Sequence, residues 1–158
     1  MAHDSVSVAN EILRYASSKS ISLTLMQLLK LEYIAHGWSL AILNRPLVQE
    51  PAQAWQHGPV YPSVYRQFRG AGWQPISTLA KDPFMGSEFV ANFDDDERKL
   101  LEKVVDSYGR MHAFELSDRT HAPGTPWHQT YQDGLGRSQD IPNSVIKEHF
   151  DQLNTVAA

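Results

Sequence analysis

The chain of 158 residues contains no cysteine. That absence removes disulfides, thiolate zinc sites and thiol catalysis together, and it agrees with a reducing compartment. Runs of Lys and Arg are missing as well. Fourteen basic residues stand against eighteen acidic ones, a formal charge of −4, and no basic stripe is available to follow a phosphate backbone. Nucleic acid is therefore not the expected partner. No export leader is expected, because Asp4 and Glu11 fall where a signal peptide carries basic residues and then an apolar core. A membrane span is not expected either: the most apolar stretch, Leu23 to Leu43, is interrupted by Gln27, Lys30, Glu32 and His36, all costly in hydrocarbon. The expected location is the cytoplasm.

What is present is ordinary globular material, 42% apolar and 20% charged. The length suits one domain over residues 1–158 with a core of its own. Apolar residues recur at helical spacing through Val8, Ile12, Tyr15 and Ala16, so residues from about Ser5 to Ser17 read as a first amphipathic helix. The second helix has the clearest start: Thr24 caps, Gln27 completes a capping box, and Leu23 staples onto Leu28. Its stripe runs Leu28, Leu31, Ala35, Trp38 and Ile42, and Leu25, Leu29, Ile34 and Ala41 widen it almost all round, which places this helix in the middle of the fold. Asn44 and Pro46 end it.

From Pro46 to about Val60 the helical period disappears, and the segment reads as a short hairpin or extended loop. Pro62 opens a third helix with Tyr61, Val64, Tyr65 and Phe68 on one face, stopped by Gly70 and Gly72. Trp73 to Phe93 reads as a long connection with a strand near Phe89 to Phe93. Asp94 and Glu97 then cap a helix built on Leu100, Leu101, Val104, Val105 and Tyr108 and closed by Gly109. Shorter helices follow at about Ala113 to Thr120 and after Thr125 and Pro126, and a terminal helix opens at Pro142 with Val145, Ile146, His149, Phe150 and Leu153 on one face. The expected architecture is mainly α, a helical bundle around a central apolar helix with a short extended segment near residues 46–60.

Residues that carry chemistry form no familiar set. His57 before Gly58 and Pro59, together with His36, His112, His121 and His128, invites a search for a metal site, but no pair has the spacing of helical zinc ligands, so surface, capping and hydrogen-bonded core roles are the plainer reading. No Ser lies in a Gly-flanked elbow, and Gly134 to Arg137 lacks the lysine of a phosphate loop. The acidic run Asp94 to Glu97 sits where a helix start favours negative charge. No cofactor or metal is expected. The distinctive feature is aromatic: Trp38, Trp55, Trp73 and Trp127, with Tyr33, Tyr61 and Tyr65, alternate with Pro and Gly. Such residues serve as core or as interface anchors. Trp38 continues the central stripe, whereas Trp55 lies in a loop where its ring either packs inward or meets a partner.

Three blocks carry a resemblance. The first is Leu25 to Trp38 (LMQLLKLEYIAHGW); the second, Ala54 to Tyr65 (AWQHGPVYPSVY); the third runs from Leu116 through Thr120 and His121 to Pro126 and Trp127, then to Ile141 and His149-Phe150. In this order they resemble the Panacea family, also named after its SocA and GepA members. The chain departs from the pattern at Glu32 and at His57, where the family commonly has an aromatic residue. The resemblance implies a mainly α-helical antitoxin, prokaryotic or phage-borne, that binds a cognate protein toxin without catalysis, and no appended DNA-binding domain is expected. It singles out Trp38, Trp55, His57, Gly58, Pro59, Val60, Tyr61, Tyr65, Thr120, His121 and Trp127 as partner-binding or motif residues, with a structural role equally open. Gly58-Pro59 reads as a sharp turn placing Trp55 and Val60 on opposite sides of a bend, and Thr120 with His121 as a polar support for the neighbouring loop. The rivals are an adaptor that delivers a bound partner to a protease, a phage protein that blocks a host factor, and an enzyme using the His residues.

Overall fold

The computed structural model describes residues 2–157, and side-chain surroundings as far as residue 155. Among them lie seven α-helices and one small hairpin: α1 (Ser5–Ser18), α2 (Leu25–Trp38), β1 (Gln53–Trp55), β2 (Gly58–Val60), α3 (Pro62–Phe68), α4 (Asp95–Tyr108), α5 (Ala113–His121), α6 (Pro126–Tyr131) and α7 (Asn143–Ala157). The architecture is mainly α, as the periodicity indicates.

Helix α2 starts where its cap residues dictate. The Thr24 hydroxyl accepts from the Gln27 backbone N–H, and the Gln27 side chain accepts from the Thr24 N–H at 2.9 Å, so two of the unpaired donors of the first turn are satisfied. Leu25, Leu28, Leu29, Leu31, Tyr33, Ile34 and Ala35 are all buried. Elements α1, α3, α4, α5, α7, β2 and the turn after α2 all pack on this helix, which makes it the axis of the bundle. The same capping logic starts α4, where Asp94 and Glu97 form the second reciprocal box. Thr125 caps α6, with Pro126 in its first turn.

Close approach to α2 depends on Gly37. A β-carbon there would stand 2.2–2.5 Å from three ring atoms of Phe150 on α7, so only a glycine lets that ring lie flush against the helix. Phe150 in turn meets Trp38 edge-on, with ring centroids 5.2 Å apart, and Tyr33 at 6.2 Å.

Two expectations about these elements are corrected. The strand near Phe89 to Phe93 does not form; the connection contains only a single bridge, between Lys81 and Glu88. A buried side chain holds the segment instead. The Asn10 amide donates to the carbonyls of Ala80 (2.9 Å) and Phe89 (3.0 Å) and accepts from the Ala80 N–H (2.9 Å), imitating a strand neighbour from the face of α1. The second correction concerns Ile42. The helix widens into a π turn over Ser39–Leu43 before Asn44 ends it in the left-handed conformation (φ 56°). The wider turn rotates less per residue and so shifts the phase, and Ile42 is 58% exposed rather than part of the core stripe.

The hairpin is not an isolated ribbon. Residues 138–141 pair along the outer edge of β1 through Ala54 N–H to the Gln139 carbonyl (2.9 Å), Ser138 N–H to the Ala54 carbonyl (2.7 Å) and Ile141 N–H to the Ala52 carbonyl (2.8 Å). A two-stranded hairpin is marginal by itself, and this third segment removes its open edge.

Gly37→Ala is expected to push α7 off α2 and to lower the unfolding free energy by about 1–3 kcal/mol, as overpacking of a close contact does. Urea titration followed by circular dichroism measures this, and unchanged stability would show that the Phe150 ring moves aside freely.

Candidate functional site

The three blocks of the resemblance meet around the hairpin. Lys30, on the buried face of α2, is 2% exposed and reaches the hairpin, where its Nζ donates to the Pro59 carbonyl at 2.9 Å. A buried backbone carbonyl without a partner costs about 1–3 kcal/mol, so this contact is what lets β2 sit on the central helix. Gly58 fits the same arrangement twice over. Its φ of +119° suits glycine, and a β-carbon there would lie 3.0 Å from Lys30 Cε and 3.1 Å from Nζ.

The register corrects the expected sharp turn. Gln53 opposes Val60, Ala54 opposes Pro59 and Trp55 opposes Gly58, so the two-residue bend is Gln56-His57 and Gly58-Pro59 belongs to β2. Cross-strand partners share a face and so do residues two apart, which assigns Trp55 and Val60 to the same face of the ribbon, not to opposite sides of a bend.

Helices α5 and α6 close the other side. Ser117 Oγ donates to the His57 carbonyl at 3.0 Å, and His121 Nδ1 donates to the Ser117 carbonyl. The His121 ring meets Trp127 edge-on at 5.3 Å, Trp127 stacks on Tyr131 at 4.6 Å, and the Trp127 indole N–H donates to the Trp55 carbonyl at 2.6 Å. Thr120 and His121 do not bond the loop that follows α5, since His121, like Thr120, turns its side chain back on its own helix. Thr120 Oγ1 donates back into its own helix, to the carbonyls of Leu116 (3.0 Å) and Ser117 (3.1 Å), and does not hold the loop. Ser117, which periodicity does not distinguish from any other helical serine, bonds the hairpin bend at His57 instead.

The motif residues therefore divide. Gly58, Pro59, Val60, Tyr61, Thr120 and Trp127 are buried; Trp55, Tyr65, His121 and Trp38 are half-buried; His57 is exposed. Trp55 lies edge-on to Tyr65 at 5.2 Å, with its indole N–H on the Gln53 side chain. Trp38 stands apart from this corner, on Phe150. The imidazoles do not converge: His36 bridges the Val48 N–H and the Asn143 side chain, His112 caps α5, and His128 accepts from the Gly124 N–H. Among the described residues no group of three or more His, Asp or Glu side chains is arranged to hold a metal ion.

Periodicity does not single out the charged residues that α2 buries. Lys30 and Glu32 interrupt an apolar run, and that interruption is the available signal. Burial pushes Lys30 down from about 10.5 to about 7. Burial likewise raises the Glu32 carboxyl well above its ordinary range, with Glu50 and Asp4 adding to the effect. Neither Glu32 oxygen, nor the hydroxyls of Tyr33 and Tyr61, has a hydrogen-bond partner among the described residues.

Lys30 carries a proton in the unfolded chain up to about pH 10.5 and loses it in the fold above about pH 7. The unfolded state then binds the extra proton across that window, so this residue makes stability rise with pH there. Against Lys30→Met, the wild type should gain up to about 4 kcal/mol in relative unfolding free energy between pH 7 and 10, a slope of about 1.4 kcal/mol for each pH step of one. Urea denaturation at several pH values measures the gap; a gap that stays constant would mean Lys30 keeps its ordinary ionisation in the fold.

The comparisons with known proteins follow the same blocks. Residues 28–128 match the family described as Antitoxin SocA-like, Panacea domain. The chain is similar to Antitoxin SocA of Caulobacter vibrioides (strain NA1000 / CB15N), with 36% identity over 154 residues that cover 93% of this chain and 82% of that protein. No solved structure matches it. The matched span runs from the first turn of α2 through the hairpin to His128, the segment whose contacts build the corner, and the chain belongs to the SocA-like antitoxin family defined by the Panacea domain.

Proposed function

We propose that the chain is a cytoplasmic antitoxin that neutralises a cognate protein toxin by direct, noncatalytic binding. The observation that carries this reading is the 36% identity to a protein named as an antitoxin, extending over nearly all of this chain and most of that one. The build of the corner supports it. Lys30, Ser117 and Trp127 spend their polar groups on the hairpin backbone, leaving them committed to the scaffold. A constant scaffold with a separate contact surface is the arrangement a binding module needs. Of the motif residues at the corner, Trp55 and Tyr65 keep part of their rings on the surface, and we assign them to the toxin contact. Large rings with a polar edge commonly dominate protein interfaces.

Inducing the open reading frame adjacent to this gene should arrest growth, and co-expression of this chain should restore it. If growth is not arrested, or is not restored by this chain, the antitoxin reading falls. Following toxin level after translation is blocked separates two outcomes: a lifetime that this chain leaves unchanged or lengthens means shielding, and a shortened one means delivery to a protease. Trp55→Ala, once shown by circular dichroism to fold, should weaken toxin binding by about tenfold or more. Wild-type affinity in the folded variant would remove Trp55 from the interface without touching the antitoxin role.

A further inference from the structure

The π turn at the end of α2 redirects Ile42. An uninterrupted helix would carry this side chain one turn beyond Trp38 on the same stripe. Instead the turn presents Ile42 to solvent at 58% exposure, beside a half-buried Trp38. Single π turns of this kind occur often at functional sites, because they give up regular hydrogen bonding to place particular side chains. Here the turn places Ile42 on the rim of a groove of about 460 Å³ between the π turn, α4 and the end of α7, with Trp38, Leu100 and Val104 among its lining residues. That volume falls within the range of built binding clefts.

The charges along one wall say what the groove would accept. Lys99 and Lys103 are exposed on α4, four residues apart and so on the same face, in a chain whose net charge is negative. Like charges at that spacing repel and disfavour the helix slightly. Neither Lys99 nor Lys103 stands within 4 Å of a carboxylate among the described residues, so both line the groove without an ion pair, which several other surface cations of the chain also lack. Asp96 also borders the groove but makes no ion pair with them; it lies in the first turn of α4, where the helix dipole favours it.

We propose that this groove receives an amphipathic helix of the cognate toxin, with apolar side chains at three-and-four spacing laid on Trp38, Ile42 and Val104, and acidic side chains meeting Lys99 and Lys103. An apolar floor with a basic wall selects such a segment over a neutral or basic one, by contact on the floor and by attraction at the rim. The proposal rests on the antitoxin reading and adds to it a second contact face, apart from Trp55 and Tyr65, and the chemistry of the segment that occupies it.

The test uses the purified full chain and the purified product of the adjacent open reading frame, with calorimetry and stopped-flow binding. Ile42→Asp should weaken binding by about tenfold or more. The double variant Lys99→Glu with Lys103→Glu should slow association and abolish the loss of association rate that added salt causes in the wild type. Phe84→Asp, which alters a 94% exposed ring outside the groove, should bind as the wild type does. All altered positions are exposed, so each variant should keep the wild-type thermal midpoint, and Ile42→Ser serves if Ile42→Asp does not. Hydrogen exchange on the complex should show protection over residues 38–43 and 99–108. If the toxin binds the wild type and both groove variants equally, the groove is not the contact and the antitoxin reading stands. If the adjacent product does not bind the wild type at all, both fall. A wild type that sediments as a dimer while Ile42→Asp sediments as a monomer would assign the face to a second copy and overturn the proposal.

Discussion

The hydrogen bond from Lys30 to the Pro59 carbonyl ties the most buried helix to the one element that is not helical. Three features of the sequence follow from it. A glycine must precede Pro59, because the lysine stem occupies the space a side chain would need. The hairpin must be held from above as well, which Ser117 does through the His57 carbonyl and Trp127 through the Trp55 carbonyl. And α2 must carry a polar group through an apolar interior, at a desolvation cost that pushes Lys30 toward neutrality.

Glu32 shows the same cost without the same compensation. Its carboxyl oxygens have no hydrogen-bond partner among the described residues, and burial, with Glu50 and Asp4 nearby, raises its proton affinity and so favours the uncharged form. Tyr33 and Tyr61 hold buried hydroxyls in a similar condition. Central polar groups of this sort lower stability relative to an apolar core, and they tend to specify a single arrangement of the elements around them. In this fold Glu32 and Tyr33 lie on the axis against which most of the other elements pack.

The division between scaffold and surface frames the functional reading. Residues that carry the family resemblance are largely consumed by one another: Gly58 by Lys30, His121 by Ser117 and Trp127, Trp127 by Trp55 and Tyr131. The side chains left with free surface are Trp55, Tyr65 and His57 at the corner and Ile42, Lys99 and Lys103 at the groove by the end of α2.

Helix starts and stops were legible in the sequence because they are local. Thr24 with Gln27, Asp94 with Glu97, Thr125 with Pro126, and Asn44 each satisfy backbone groups within a few residues, so the chain needs no distant partner to place them. The centrality of α2 was legible too, since a helix apolar almost all round has no stable place at a surface. What the amino-acid order left open were the interactions between residues far apart in it. The strand expected after Phe89 yields to Asn10, far earlier in the chain, whose amide replaces a strand neighbour. Ile42 leaves the core stripe where the helix widens into a π turn, across which the Ser39 hydroxyl donates to the Arg45 carbonyl, a feature that periodicity alone does not contain. Lys30, Ser117 and the edge pairing of residues 138–141 acquire their meaning only when packing removes water, because a polar group must find a partner inside the fold once solvent no longer supplies one.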